Sequence, residues 1–156
     1  MNSKKILRPL IAACLCVTGV MTSTTFADEK KEIEQIVKYR QAVMTILNRN
    51  MKIMGSMMKG YLPYDAPTFS RLAQDLDATA HLDVLSGFPK GTINDESDAS
   101  NDIWLNIDDF EQKYKDLKVT AKEVSLAAES GDKDKIKPVF LELAKACKDC
   151  HKAYRK

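Results

Sequence analysis

Histidine, cysteine and tryptophan are scarce in this chain of 156 residues, which has two, four and one of them respectively. Strand-like alternation of polar and apolar residues is missing over any useful length, which argues against a β-sheet. The formal net charge is only +2 and the chain has no basic patch, so nothing suggests a nucleic-acid partner. The few cysteines and histidines are therefore the most informative positions.

The N-terminal residues 1–27 have the layout of a secretory signal peptide. Three basic residues precede an uncharged apolar run over 9–21, and small residues stand at Thr25 and Ala27, the -3 and -1 positions of a cleavage site. The apolar run is too short to cross a bilayer as a stable helix, although a retained N-terminal anchor is the alternative. We expect cleavage after Ala27, a domain over 28–156 and no membrane attachment afterwards.

Cleavage at this point would change what the mature chain contains. Cys14 and Cys16 would be removed, so that only Cys147 and Cys150 remain. Three basic residues and no acidic residue would also leave, and the remaining 21 basic and 22 acidic residues give a net charge of −1.

Inward-facing residues spaced three and four apart predict four helices. Each helix has one row of such residues, which is called its seam. In chain order the four seams are Ile33, Val37, Arg40, Met44, Leu47, Met51, Met54 and Met58; Phe69, Leu72, Leu76 and Ala80; Ile107, Phe110, Tyr114, Leu117, Ala121, Val124 and Ala128; and Ile136, Phe140, Leu143, Cys147, Cys150 and Tyr154.

Glycine, proline and capping residues set the predicted boundaries of these helices. Gly60 ends the first helix, and the glycines and proline of 87–91 end the second and begin a polar loop. The third helix is expected from about Ile103 to Ala128, and Asp132 is the expected N-cap of the fourth. Four such helices in one small domain predict an all-α fold, an antiparallel four-helix bundle.

The stretch Cys147-Lys148-Asp149-Cys150-His151 is C-x-x-C-H, the attachment sequence of c-type haem. Each thiol adds to one haem vinyl group, and positions i and i+3 of a helix place the two sulfurs about one turn apart. His151 follows on the same face, where its ring can bind the iron. Because both cysteines continue the seam of the fourth helix, one covalently bound haem is expected inside the bundle.

Other uses of a C-x-x-C pair fit this chain less well. A redox dithiol usually lies at the start of a helix in a βαβ setting, which the sequence lacks. A zinc site needs four ligands, and the mature chain has two cysteines and two histidines. A structural disulfide between two cysteines one turn apart in mid-helix would be poorly placed.

Arg40 and Met44 are the distinctive residues of the first seam. An unpaired buried charge is costly, so Arg40 is a candidate partner of a haem propionate, unless its side chain extends to solvent at the edge of the bundle. Met44 lies one turn further along the same face. It is a candidate distal wall of the haem pocket or sixth iron ligand, and ordinary core packing is the alternative.

Two further residues, Arg155 and Phe88, are candidates for the haem site, and His81 is not. Arg155 lies four residues after His151, where it would line the proximal side of the haem or stabilise the end of the helix. Phe88 is a packing residue that could touch the haem edge. His81 is off the inward positions of the second helix and is expected on the surface.

The whole mature chain resembles the class II cytochromes c, and cytochrome c prime in particular. The C-x-x-C-H motif is shared by all c-type cytochromes, and its C-terminal position together with Arg40 and the Pro-Tyr-Asp segment makes the match specific. The other residues that carry the resemblance are Tyr39-Arg40-Gln41, Lys59-Gly60, Pro63-Tyr64-Asp65, Gly91-Thr92, Ile103-Trp104 and the final Tyr154-Arg155.

The resemblance implies a periplasmic four-helix bundle, often a homodimer through its first two helices. It implies five-coordinate iron held by His151, with an apolar distal face that binds nitric oxide and carbon monoxide. It also places Arg40 near a propionate and Arg155 beside the proximal face. Low-spin members of the class have a methionine ligand where this chain has Met44.

Two functions follow, a gas-binding module and a single-electron carrier that acts with a redox partner protein. Histidine and methionine ligation would favour the carrier, because it fixes the coordination sphere. An enzyme such as a peroxidase is disfavoured, because the distal wall offers Met44 and aliphatic neighbours but no histidine or carboxylate to move protons.

Overall fold

The computed structural model describes residues 23–156, with side chains from Phe26 onward. The predicted signal peptide lies mainly outside this range, and its expected cleavage point after Ala27 falls within the first helix. The described residues form five α-helices and one short 3₁₀ turn, without a β-ladder. They are α1 (Ser23–Lys59), α2 (Ala66–Ala80), the 3₁₀ turn (Leu85–Gly87), α3 (Asp102–Leu105), α4 (Ile107–Ala128) and α5 (Lys133–Tyr154).

The four long helices α1, α2, α4 and α5 pack around one apolar core, which confirms the predicted all-α fold. α4 lies against both α5 and α2, while α1 packs on α2 and also touches the 3₁₀ turn and α5. None of the helices within residues 23–156 combines the length and apolar character needed to span a bilayer.

Local sequence explains where α2 and α5 begin. The Asp65 carboxylate accepts a hydrogen bond from the Thr68 amide at 2.9 Å. Asp132 accepts in the same way from the amides of Asp134 and Lys135, at 3.0 and 3.4 Å. These side chains satisfy amides that a helix N-terminus leaves without a backbone partner, and the predicted cap at Asp132 is confirmed.

The second helix is shorter than predicted, since it ends at Ala80 rather than within 87–91. The buried Tyr114 hydroxyl donates to the Ala80 carbonyl at 2.6 Å. A side chain of α4 therefore provides a hydrogen-bond partner for a carbonyl at the C-terminus of α2. The chain then passes through the short 3₁₀ turn instead of continuing the helix.

The predicted third helix is interrupted at Asn106, whose φ of −134° and ψ of 47° are not helical. This break separates the four-residue α3 from α4 and changes which residues face inward. Ile103 is 1% exposed, whereas Ile107, predicted to be the first inward residue, is 39% exposed.

The buried side chains form one main cluster along the bundle and a smaller cluster near the end of α5. The smaller cluster consists of Ile103, Phe110 and Tyr154. Cys147 packs against the main cluster and Cys150 against the smaller one. The C-x-x-C-H motif therefore lies where the two clusters meet.

Candidate haem site

The last three turns of α5 bring the motif residues together. Cys147 and Cys150 are one turn apart on a continuous helix, and both are half-buried free thiols. His151 is adjacent and more exposed than either cysteine. The two cysteine side chains thus pack against the main and the smaller apolar clusters on one side of α5, and the His151 imidazole lies beside them.

Burial raises the pKa of both thiols, that of Cys150 to about 11. Both thiols are therefore protonated at neutral pH, unlike the thiolate that a redox dithiol requires. Among residues 23–156, no three histidine, cysteine or acidic side chains gather in a metal-binding cluster. The raised pKa values argue against a redox dithiol, and the lack of further ligands in this part of the chain argues against a zinc site.

The pKa of His151 lies below its ordinary value. The main cause is desolvation by the surrounding protein, which disfavours the charged imidazolium, and the second is the positive charge of Arg155. Both effects favour the neutral ring, which is the form that binds a metal.

Arg40 is 4% exposed, so its side chain does not extend to solvent. Its guanidinium donates to Thr92 Oγ1 at 3.3 Å, to the Thr92 carbonyl at 2.6 Å and to Ser97 Oγ at 3.3 Å. All three acceptors are neutral, and the described ion pairs include none with Arg40. Burial lowers the pKa of Arg40, because desolvation disfavours the charged guanidinium.

Phe88 links Arg40 to the C-terminal end of α5. The Arg40 guanidinium lies over the Phe88 ring, 4.9 Å from its centroid. Phe88 then packs edge-on against Phe110 at 4.9 Å, and Phe110 against Tyr154 at 5.2 Å. The Trp104 indole donates to the Phe88 carbonyl at 3.0 Å, which also fixes the backbone here.

Gly87 allows the 3₁₀ turn to approach α1 closely, a role that the sequence analysis missed. A Cβ atom at this position would lie 2.9 Å from the Tyr39 ring and 3.1 Å from Arg40 Cγ. Both distances are shorter than normal contacts, so glycine keeps Phe88 directly beneath Arg40. From its place in the sequence, Gly87 is predicted only to end a helix.

Met44 is half-buried on α1 and packs against the main cluster, as Cys147 does from α5. Of the neighbouring inward residues of α1, Val43 and Leu47 are buried and apolar, and Arg40 is the charged one. This part of α1 presents an apolar surface with a flexible thioether at its edge.

Arg155 differs from the sequence-based expectation, because α5 ends at Tyr154 and Arg155 is extended, with φ −114° and ψ 137°. Its Nε and Nη2 both donate to Asp98 Oδ2, at 3.1 and 2.6 Å. The reason is a short antiparallel pairing in which the Ser100 amide donates to the Tyr154 carbonyl at 2.9 Å. The Arg155 side chain therefore binds the polar loop, while its amide still donates to the His151 carbonyl at 3.0 Å.

His81 is exposed near the end of α2, as predicted, and its Nδ1 lies 3.1 Å from Asp77 Oδ1. It is not part of the motif region. Thr92, Ser97 and Asp98 hold the two arginines. Of these, only Thr92 carries a signal in the sequence, as part of Gly91-Thr92, and its contact with Arg40 is not predicted there.

The donor set fits a covalently held haem. Two free thiols one turn apart match two vinyl groups, and the adjacent imidazole matches an axial ligand. The buried Arg40 cation, which has only neutral partners, matches an anionic propionate. Half-buried apolar side chains from α1 and the 3₁₀ turn face the same region.

Comparisons with known proteins agree with this donor set. A family model described as Cytochrome C' matches residues 35–155. Cytochrome c' of Alcaligenes xylosoxydans xylosoxydans is 32% identical over 123 residues, covering 79% of this chain and 94% of that protein. Cytochrome c-554 of Cereibacter sphaeroides is 30% identical over 152 residues, covering 96% and 98%.

Solved structures of cytochrome c prime variants from Alcaligenes xylosoxidans share the fold. A nitric oxide complex matches with a TM-score of 0.72 and 34% identity, covering 80% of this chain and 95% of the other. A carbon monoxide complex matches with the same TM-score and identity, covering 80% and 96%. The resemblance seen in the sequence is confirmed, and the chain belongs to the cytochrome c prime family, whose members carry covalently attached haem c.

Proposed function

We propose that α5 holds one haem c through thioether bonds from Cys147 and Cys150, with His151 as an axial iron ligand. The observation that carries this proposal is the pair of half-buried free thiols one turn apart, at the junction of the two clusters. When bound, the haem supplies a one-electron couple and an iron site for a sixth ligand.

Arg40 supplies the charge that a propionate would need. A guanidinium has five N–H donors, and Arg40 makes three hydrogen bonds to the polar loop, which leaves two donors uncommitted. A carboxylate at these donors would compensate a buried charge that has only neutral partners. Phe88, which lies under the guanidinium, would contact the haem edge.

The distal side of the site is best suited to small neutral gases. The inward surface of α1 around Met44 is apolar apart from Arg40, and no histidine or carboxylate on it is placed to transfer protons. Such a surface favours neutral diatomic molecules over water and anions. The nitric oxide and carbon monoxide complexes of related structures support binding of these gases by five-coordinate iron in this chain.

The second candidate function is a single-electron carrier in which Met44 is the sixth iron ligand. Its thioether is unbranched and half-buried, and Met44 packs against the same main cluster as Cys147. Methionine and histidine ligation would raise the haem potential and limit reorganisation on electron transfer to a redox partner protein.

The optical spectrum of the purified protein, with carbon monoxide added to the reduced form, separates the two functions. The gas-binding proposal expects a high-spin spectrum that changes with carbon monoxide, both in the native protein and in Met44→Leu. A low-spin native spectrum that carbon monoxide does not alter, and that becomes high-spin in Met44→Leu, would instead assign Met44 as a ligand. Leucine is the matched control because its volume is similar but it cannot coordinate iron.

Export and assembly are proposed on the same basis. The signal-like segment 1–27 predicts a periplasmic protein that begins at Asp28, which N-terminal sequencing of the exported chain would test. A homodimer through α1 and α2 is proposed from the family resemblance and from Ile46, which is apolar yet 46% exposed on α1. Light scattering during size-exclusion chromatography would show one chain or two.

A further inference from the structure

Two adjacent residues of the polar loop bind two arginines from opposite ends of the chain. Ser97 Oγ accepts from Arg40 on α1 at 3.3 Å. Asp98 Oδ2 accepts from both Nε and Nη2 of Arg155, directly after α5. Two N–H groups of the Arg155 guanidinium share one Asp98 oxygen, in a pair whose side chains are 56% and 67% exposed, so the contact directs Arg155 toward the loop without burying it.

The position of Asp98 is fixed by contacts other than its own carboxylate. The Lys156 amide donates to the Asp98 carbonyl at 2.8 Å, and the Ser100 amide donates to the Tyr154 carbonyl at 2.9 Å. On the other side, the Gln41 side chain of α1 donates to the Glu96 carbonyl at 2.7 Å. The loop thus bridges α1 and α5, and it presents Asp98 to Arg155 from a fixed backbone.

Arg155 is also close enough to His151 to influence it. The Arg155 amide donates to the His151 carbonyl at 3.0 Å, so the two residues lie one turn apart at the end of α5. A cation held in place near the proposed iron ligand stabilises the reduced haem, whereas a cation free to move into water is screened.

We propose that Asp98 is a positioning residue that holds Arg155 beside His151, so that the effect of Arg155 on the haem reduction potential depends on Asp98. This inference rests on the haem attachment proposed above but not on gas binding. It differs from the view that Asp98 and Arg155 are two surface charges that act on the haem independently.

The test is a double-mutant cycle on the haem midpoint potential, measured in about 10 mM salt, where screening is weak. Arg155→Gln is expected to lower the potential of the native protein. In an Asp98→Asn background, the same change is expected to lower it by less than half as much. Asp98→Glu, which keeps the carboxylate, should preserve most of the effect of Arg155→Gln.

Asp95→Asn is the matched control, since it removes one negative charge from the same loop. Asp95 is exposed and forms no ion pair or side-chain hydrogen bond with the described residues. In this background, Arg155→Gln should shift the potential as much as in the native protein. An equally reduced shift in the Asp95→Asn background would overturn the proposal, because it would make loop charge in general responsible.

Equal shifts from Arg155→Gln in the native and Asp98→Asn backgrounds would also contradict positioning, because the two charges would then be independent. Hydrogen exchange at the Ser100 and Lys156 amides shows whether the loop stays paired. If Asp98→Asn releases the loop, the Asp98→Glu background decides, and a shift reduced by half there would reject the proposal. Absence of covalent haem would instead overturn the proposed function, on which this inference rests.

Discussion

The two ends of the bundle are built differently. At one end, Phe69, Met54 and Leu143 are fully buried and the helices pack directly on one another. At the other end, Met44 and Phe88 remain half-buried and a polar loop surrounds a buried arginine. The first end is mainly apolar, although Asn50 is buried there and its Nδ2 has no hydrogen-bond partner among the described residues. The second end has the unpaired thiols and uncompensated charge that a haem would use.

This contrast separates folding from function within one domain. Variants at the closed end should lower the stability of the chain whether or not haem is attached. Variants at the open end should act mainly through the haem, and their effect on the haem-free chain should be smaller. The following experiments test this division, beginning with the largest expected effect on stability.

Phe69→Ala tests the closed end, where the Phe69 ring packs against Tyr64 and Phe140 with centroids at 5.8 and 6.0 Å. Removing it leaves a large cavity, so the free energy of unfolding should fall by about 3–5 kcal/mol. Urea unfolding of haem-free and haem-bound protein should give similar losses. A loss seen only in the haem-bound form would contradict the assignment of this end to folding alone.

Arg40→Met tests the open end by removing the buried charge while keeping the length of the side chain. The haem-free chain should lose about 2 kcal/mol, because Thr92 and Ser97 lose a charged donor. The haem-bound protein should lose more, since a propionate would be left unpaired.

Gln41→Met is the matched control for Arg40→Met, because Gln41 also donates to the loop but is exposed. Its effect should be small and equal in the two forms. If Arg40→Met also affected both forms equally, Arg40 would have no role toward the haem.

Gly87→Ala tests the close approach of the 3₁₀ turn to α1. The added methyl group would contact the Tyr39 ring and Arg40 Cγ, so the turn must move, at a cost of about 1–3 kcal/mol. Gly55→Ala in α1 is the control, since its nearest neighbour would be Phe140 at 3.8 Å. That change should stabilise the helix by up to about 1 kcal/mol, and thermal unfolding of both variants measures the difference.

Alkylation of the haem-free chain has the smallest structural consequence and reports on burial of the motif. Because the pKa of Cys150 is raised to about 11, its thiolate is a minor species at pH 8. Its reaction rate with iodoacetamide should rise about tenfold for each pH unit up to about 11. A rate that levels off near pH 9 would show that Cys150 is exposed rather than packed against the smaller cluster.

Much of the fold and the centre of the site follow from sequence. The spacing of apolar residues identifies the four long helices, and Asp132 correctly marks the start of α5. The C-x-x-C-H motif is local, so its one-turn geometry depends only on α5 being helical. Arg40 is recognisable because it interrupts an otherwise apolar seam.

The polar loop and its contacts could not be predicted in this way. Thr92 and Ser97 are 52 and 57 residues from Arg40 in the chain, and no periodicity relates them. Gly87 has a local interpretation as a helix terminator, and only the packed structure shows its approach to α1. Helical spacing predicts that Arg155 continues α5, whereas pairing of the chain end with the loop gives Arg155 an extended backbone.

The most direct test of the account is whether haem stays on the chain when the protein is unfolded. Intact mass measurement under denaturing conditions should give the mass of the chain from Asp28 plus one haem. A Cys147→Ser/Cys150→Ser variant should give the mass of the chain alone. A native protein that releases its haem on denaturation, or that never acquires one, would contradict the central claim that Cys147 and Cys150 hold it covalently.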